Sequence, residues 1–172
     1  MDRKSLLKTL NLSRFTAFDF ETTGLDPYND RIIEIAAIRF EDGEITDRYV
    51  ELINPERPIS RIITEITGIS NKMVQNAPTE ETIIDDFLYF LGNDPLVAHN
   101  IHFDEQFLSV MCDRLGRNKG NNINYDTLQL SRSLFFDQPV FNLGALSEYF
   151  GLSAKGAHRA EKDTENTGLI FL

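Results

Sequence analysis

The stretch Phe15-Thr-Ala-Phe-Asp-Phe-Glu21 decides the fold, read together with Arg31 to Phe40 (RIIEIAAIRF). The first run is rich in aromatic residues and ends at a Thr-Thr-Gly turn, as a strand does. The second is apolar on both alternating faces, the pattern of a strand covered from two sides. Asp42-Gly43 is a hairpin signal, and Glu44 to Ile53 returns as a third strand. The spacing therefore predicts an antiparallel meander of three strands.

Helices are expected to dominate the second half. Thr79 can cap a helix whose first turn holds Glu80 and Glu81, suited to the positive end of a helix dipole. Its apolar stripe is Ile83, Ile84, Phe87, Leu88 and Leu91, and Gly92 stops it. Pro95 to Ala98 reads as a short buried strand. A helix from near Ile101 carries Phe103, Phe107, Leu108, Met111 and Leu115 on one side. Ile123 to Tyr125 is a candidate fifth strand, and Asp126 an N-cap for a helix through Leu134. Asn142 and Gly151 bracket another short helix, and a last one starts around Arg159. Strands first, then helices alternating with strands, point to an α/β domain with a mixed sheet.

The chain has 172 residues, 41% of them hydrophobic and 26% charged, which excludes wholesale disorder and a disulfide scaffold. Residues 1–172 are expected to form one domain, with residues 1–14 as an N-terminal extension. That extension, MDRKSLLKTLNLSR, is basic and amphipathic but lacks the apolar core and cleavage site of a secretion signal. No stretch approaches the ~20 apolar residues of a membrane helix, so no membrane partner is expected. Cys112 stands alone, which makes a reducing compartment, the cytoplasm, the default. The formal charge of −10 argues against a protein that grips long nucleic acid by its surface field. It leaves open a protein that meets few phosphates through metal ions.

The carboxylates carry the chemistry. Asp19 and Glu21 are two apart on a strand, so both project from one face, which they share with Phe15 and Ala17. Two buried acids side by side repel each other, and a hard divalent cation with oxygen ligands would resolve the conflict. Asp104 falls in the first turn of a helix, where an acid is ordinarily a surface residue complementing the dipole. His158 and Asp163 are five apart, which suits a His on the loop leading into a helix and an Asp in its first turns.

DFETTGLDP (Asp19 to Pro27), AHNIHFDEQFL (Ala98 to Leu108) and HRAEKD (His158 to Asp163) occur in this order. Together they resemble the three exonuclease motifs of the DEDDh superfamily. The likeness is nearest to the proofreading epsilon subunit of DNA polymerase III and to the exonuclease domain of PolC-type polymerases. ITGIS (Ile66 to Ser70) and YDTLQLSR (Tyr125 to Arg132) resemble the same group between the motifs. The resemblance implies a ribonuclease H-like fold: a five-stranded mixed sheet, strand 2 antiparallel, flanked by helices. It implies that Asp19, Glu21, Asp104 and Asp163 hold two divalent metal ions, Mg²⁺ or Mn²⁺. It makes His158 the general base. A sibling branch has Tyr four residues before the last acid, where this chain has Arg159.

Two metal ions flanking a scissile phosphate can activate a water and stabilise the leaving oxygen. A histidine, with a reference pKa of ~6.5, can take a proton near neutral pH. The resemblance further assigns substrate contacts. Thr22, Thr23, Gly24 and Leu25 are expected to cradle the 3′-terminal nucleotide, with Thr23 on the 3′-hydroxyl. Thr67, Gly68 and Ile69 are expected to line the same pocket, and Asn100 and Phe103 to bind substrate by supporting the second motif. Lys155, Arg159 and Lys162 either steer phosphates or form a solvated helix start. Simpler roles are assigned to His99 (a structural hydrogen bond), His102 (surface), Glu34 (a paired structural acid, or one behind the metal ligands), Asp126 (a cap) and Cys112 (core).

The expected function is a 3′→5′ exonuclease on single-stranded or frayed DNA 3′ ends, releasing 5′-mononucleotides in proofreading or repair. The alternatives are an RNA-trimming relative and a binding module with a dead nuclease fold. The apolar end TGLIFL suggests a piece of a longer chain, with a polymerase or helicase as partner or fusion.

Overall fold

The computed structural model describes residues 2–136, 138–153 and 158–172. In chain order the elements are α1 (Arg3–Thr9), β1 (Arg14–Thr22), β2 (Ile32–Glu41), β3 (Glu44–Leu52), α2 (Arg61–Thr67), α3 (Asn71–Val74) and α4 (Glu80–Leu91). They continue with β4 (Leu96–Ala98), α5 (Ile101–Leu115), β5 (Asn124–Asp126), α6 (Thr127–Leu134), α7 (Leu143–Tyr149) and α8 (Ala160–Phe171). The strands form one sheet in the order β3-β2-β1-β4-β5. β2 runs antiparallel to both neighbours, while β1, β4 and β5 are parallel. This is the expected five-stranded mixed sheet with strand 2 antiparallel.

The β2–β3 turn is Asp42-Gly43, with φ of 51° and 87°. Two positive values are what a tight hairpin turn matching the strand twist requires. The alternation on β1 then sorts its side chains. Phe18 and Phe20 enter a core with Ile84, Phe87, Phe107 and Met111 of α4 and α5. Phe15 and Ala17 face the other way, into a core with Ile38, Phe40 and Val97 capped by Leu169 and Phe171 of α8. By the same period Asp19 and Glu21 belong to the α8 side.

α8 seats itself by a close approach. A Cβ on Gly168 would stand 2.2 Å from Cε2 of Phe40, a ring that is itself fully buried and stacked on Phe15. Gly168→Ala is therefore expected to destabilise the domain by about 1–3 kcal/mol through overpacking, despite the better helix propensity of alanine. A urea unfolding curve with an unchanged or raised midpoint would show that α8 is not packed this tightly.

Three helices have no counterpart in the sequence reading. Asp2 caps α1 by accepting from the Ser5 N–H (2.9 Å), and Leu7 and Leu12 are buried. Lys4 pairs with Asp42 at 2.6 Å, so the N-terminal residues lie against the β2–β3 hairpin. Ser60 caps α2, which ends at Gly68 in the left-handed region (φ 72°). Ile59, Ile69 and Val74 close this part of the molecule over Ile33. Among the described residues no helix is long and apolar enough to cross a membrane.

Candidate active site

β1 and α8 bring three acids together. Asp19 and Glu21 project from β1 and Asp163 from the first turn of α8, each with a carboxylate oxygen within 4.8 Å of the others. All three are partly buried. The fourth expected acid, Asp104, lies at the start of α5, 2% exposed. Its Oδ1 accepts the backbone N–H of Phe20 at 3.0 Å, so it is pinned to the strand between the two β1 acids. The close triad does not include Asp104, yet its charge is the largest electrostatic influence on Asp19 after burial.

The electrostatics are those of buried carboxylates set close together. Burial, then the charges of Asp104, Glu21 and Asp163, raises the Asp19 carboxyl well above its ordinary value. Glu21 is pushed up to about 7 by burial and by Asp163 and Glu34, with Arg159 opposing. Burial takes Asp104 to about 8 in spite of the Phe20 N–H, and it also raises Asp163. These are oxygen donors only, and their mutual repulsion is what a hard divalent ion relieves. The residues fit a metal centre.

The sign of the pH dependence follows. Each of these acids holds its proton more tightly folded than unfolded. Their stabilising effect is complete below the unfolded value and is lost as pH rises through the folded one. For Glu21 the window runs from 4.5 to about 7. At about 1.4 kcal/mol per unit, its share is of order 3 kcal/mol, not additive with its coupled neighbours. The metal-free protein is thus expected to lose melting temperature from pH 5 to pH 8, and Asp19→Asn to raise it at pH 8. A flat profile in chelator would contradict the crowding. Glu165, lowered by Arg48, works in the opposite direction but below 4.5.

A half-buried ion pair fixes α8 on the sheet. Glu34, 1% exposed and opposite Glu21 in the β1–β2 register, accepts both from the Arg159 guanidinium (Nε to each oxygen, 3.1 Å) and from the Ala160 N–H at 2.9 Å. Glu34 is the paired acid of the sequence reading, and its partner holds the first turn of α8 where Asp163 reaches the β1 acids. Two of the three cations considered for phosphate steering are in ion pairs. Arg159 is engaged with Glu34, and Lys162 pairs with Glu165 at 3.2 Å. Lys155 lies outside the described residues.

His158 precedes this turn with φ 64°, a left-handed conformation that non-glycine residues adopt at a cost. Its backbone N–H donates to Asp163 Oδ2 at 3.0 Å while the side chain is exposed. The ring is thus carried beside the triad without being turned into it. A cavity of about 350 Å³ opens here between α7 and α8, lined by Asn142, Ser147, His158, Asp163 and Asn166. The last residue drew no attention in the sequence, since an asparagine in a helix leaves no pattern.

The expected substrate contacts divide. Leu25 is 84% exposed, an apolar side chain left in solvent just past the first motif. Thr22 donates to the Gly24 carbonyl at 2.6 Å. The Thr23 hydroxyl is engaged within the protein. It donates to Asp30 Oδ1 (2.9 Å) and accepts from the Arg31 N–H (3.1 Å), closing the turn after β1. At Gly24 a Cβ would meet the same Asp30 carboxylate at 2.4 Å. The expectation for Thr67 and Ile69 is corrected. Thr67 is buried and bonds Ile63 O and Ile69 N, and Ile69 is fully buried on Ile33, so neither side chain lines a pocket. Gly68 is exposed as the α2 cap. Asn100 supports the second motif through its backbone, in the left-handed region and donating to Asp126 Oδ1 at 3.0 Å. Phe103 packs on Phe107. His99 bonds Thr127 at 3.0 Å, His102 is exposed, Asp126 caps α6, and Cys112 is buried with its thiol pushed up to about 11.

Comparison with known proteins agrees with this geometry. The exonuclease family model (RNase T) matches residues 16–171. A PolC-type DNA polymerase III of Thermotoga petrophila is 42% identical over 158 residues, covering 92% of this chain and 12% of that one. The 3′-5′ exonuclease DinG of Bacillus subtilis is 41% identical over 164 residues, covering 95% of this chain and 18% of its own. This chain therefore spans only a small part of those relatives. Among solved structures, E. coli exonuclease I in complex with a dT13 oligonucleotide shares the fold, with a TM-score of 0.82 at 21% identity over 92% of this chain and 40% of that one. Exonuclease X in complex with 5′ overhanging duplex DNA has a TM-score of 0.72 at 28% identity, over 91% of this chain and 88% of that one. The motifs, the sheet order and the gathered acids meet in one conclusion: this chain belongs to the exonuclease family.

Proposed function

We propose that this domain is a divalent-metal-dependent 3′→5′ exonuclease that removes 5′-mononucleotides from single-stranded or frayed DNA 3′ ends. The observation that carries the reading is the triad of Asp19, Glu21 and Asp163, backed by buried Asp104, all four acids being raised by burial and Asp19 and Glu21 further by their acidic neighbours. Asp19, Glu21 and Asp163 would hold the metal directly, with Asp104 completing the site for a second ion. Mg²⁺ or Mn²⁺ suits the all-oxygen donor set. When bound, such ions supply Lewis-acid stabilisation of charge at the scissile phosphate.

The chain's own residues do the rest. The Glu34–Arg159 pair and the Ala160 N–H hold α8 against β2, so Asp163 stays in register with β1. The Phe20 N–H fixes Asp104. His158, on a left-handed residue whose amide is anchored to Asp163, presents an imidazole at the cavity mouth. There it accepts the proton of the attacking water. Exposed Leu25 offers an apolar surface to a terminal base. The acidic surface favours a substrate gripped at a few phosphates near its end rather than along its length.

The PolC-type relatives, named as DNA polymerases, support DNA as substrate and a polymerase context as partner, and the relative named as a 3′-5′ exonuclease supports the polarity; a helicase context and a cytoplasmic site of action remain part of the proposal. The test is digestion of 5′-labelled single-stranded DNA and RNA with Mg²⁺, Mn²⁺ or chelator. Stepwise shortening of the DNA from its 3′ end, stopped by chelator, is expected. Faster loss of the RNA would move the domain to the RNA-trimming class, and no cleavage of either would indicate a binding module.

A further inference from the structure

Asp163 and Asn166 stand three positions apart on α8 and so share a face of the helix. Asn166 is 3% exposed. Its Nδ2 donates to Ser147 Oγ on α7 at 3.0 Å and to the backbone oxygen of Ser153 at 3.2 Å. Ser153 precedes His158 by five positions, and the His158 N–H is bonded to Asp163 Oδ2. Ser153 and His158 are therefore each bonded to a residue on this face of α8. Asn166 holds the first and Asp163 the second. We propose that Asn166 is a positioning residue for His158, fixing where the imidazole enters the site. This rests on the reading of His158 as the base.

A purely structural role would be to join α7 to α8 through Ser147. That role does not account for two further features. The bond to the Ser153 oxygen lies outside both helices, on a residue five positions before His158. Asn166 Oδ1 is buried and accepts no hydrogen bond from the described residues. An unpaired buried acceptor is unfavourable, and an apolar side chain would pack the two helices without one. Asn166 also lines the cavity that His158 and Asp163 share, so its amide sits where it can act on the reacting geometry.

The test uses Asn166→Ala and the isosteric Asn166→Asp, which can accept the Ser147 hydroxyl proton in place of donating to that oxygen but cannot donate to Ser153. The substrate is 5′-labelled single-stranded DNA with Mn²⁺. Both variants are expected to lose about 10–100-fold in kcat, the range seen when an outer partner of a site residue is removed, with KM within about twofold. In a His158→Ala background neither should cost anything more, because the residue acts through the ring that is gone. In the metal-free protein, hydrogen exchange at the His158 amide should quicken in both variants. Wild-type kcat in the variants would overturn the proposal, as would equal losses with and without His158 or an unchanged amide exchange rate. His158→Ala, measured alone, separates the two readings. If it keeps full turnover, the base assignment fails and takes this proposal with it. If it is impaired while Asn166→Ala is not, only this proposal fails.

Discussion

His158→Ala loses turnover by about 10²–10⁴-fold, the contribution of a positioned general base, while Mn²⁺ affinity changes little. The imidazole is exposed and belongs to none of the oxygen sets around the triad, so its loss removes no ligand. Backbone strain could mimic the effect, because His158 has φ 64° and alanine tolerates that region poorly. His158→Gly settles the point. Glycine adopts the conformation freely and still lacks the ring. Low activity in both variants assigns the loss to the imidazole. Recovery in the glycine variant assigns it to the backbone, and His158 is then a hinge residue and not the base.

Asp19→Ala and Asp163→Ala abolish most of the activity. The loss should exceed the 10–100-fold typical of an outer hydrogen bond to a metal ligand, because each removes a donor from the triad itself. Both should remain folded in chelator, and more stable than the parent at pH 8, since each deletes a carboxylate that burial raises above its ordinary value. Loss of function with gain of stability separates a metal centre from an ordinary ion-pair cluster, whose dismantling destabilises. Circular dichroism melts beside turnover numbers check both halves. A variant that melts earlier than the parent in chelator would assign these acids a structural role. Asp104→Ala carries a further consequence, because it also strips the Phe20 N–H of its buried acceptor. It should lose activity without the stability gain.

Much of this was legible in the residues. Phe15 to Glu21 announced a strand with acids on one face because the side-chain period of a strand is fixed, and Asp42-Gly43 announced its hairpin. The three acidic motifs were readable in order, although nothing in their spacing says that Asp104 turns to the β1 backbone while the other three converge. That difference depends on which helix lies on which face of the sheet. α1, α2 and α3 escaped notice because they are short, and their capping residues Asp2, Ser60 and Ser70 look like any loop polar residue. The substrate contacts were the least legible. Thr23 and Ile69 sit beside telling residues in sequence, but a tight turn at Asp30 and a left-handed Gly68 direct their side chains inward. The pairing of Glu34 with Arg159, 125 positions apart, is a product of topology alone. The overall charge of −10 says little about partners on its own, because four of the acids behind it lie together at the candidate site.

Whether these acids form a metal centre decides the function. The direct measurement is the melting temperature of the metal-free protein as Mn²⁺ is added at pH 7.5, for the parent and for Asp19→Asn with Glu21→Gln. The parent should be stabilised by about 2.7 kcal/mol at 100 times the dissociation constant of a single site, and the variant should start higher and gain almost nothing. A parent protein whose melting is indifferent to Mn²⁺ and Mg²⁺, or a variant that gains as much as the parent, would contradict the assignment.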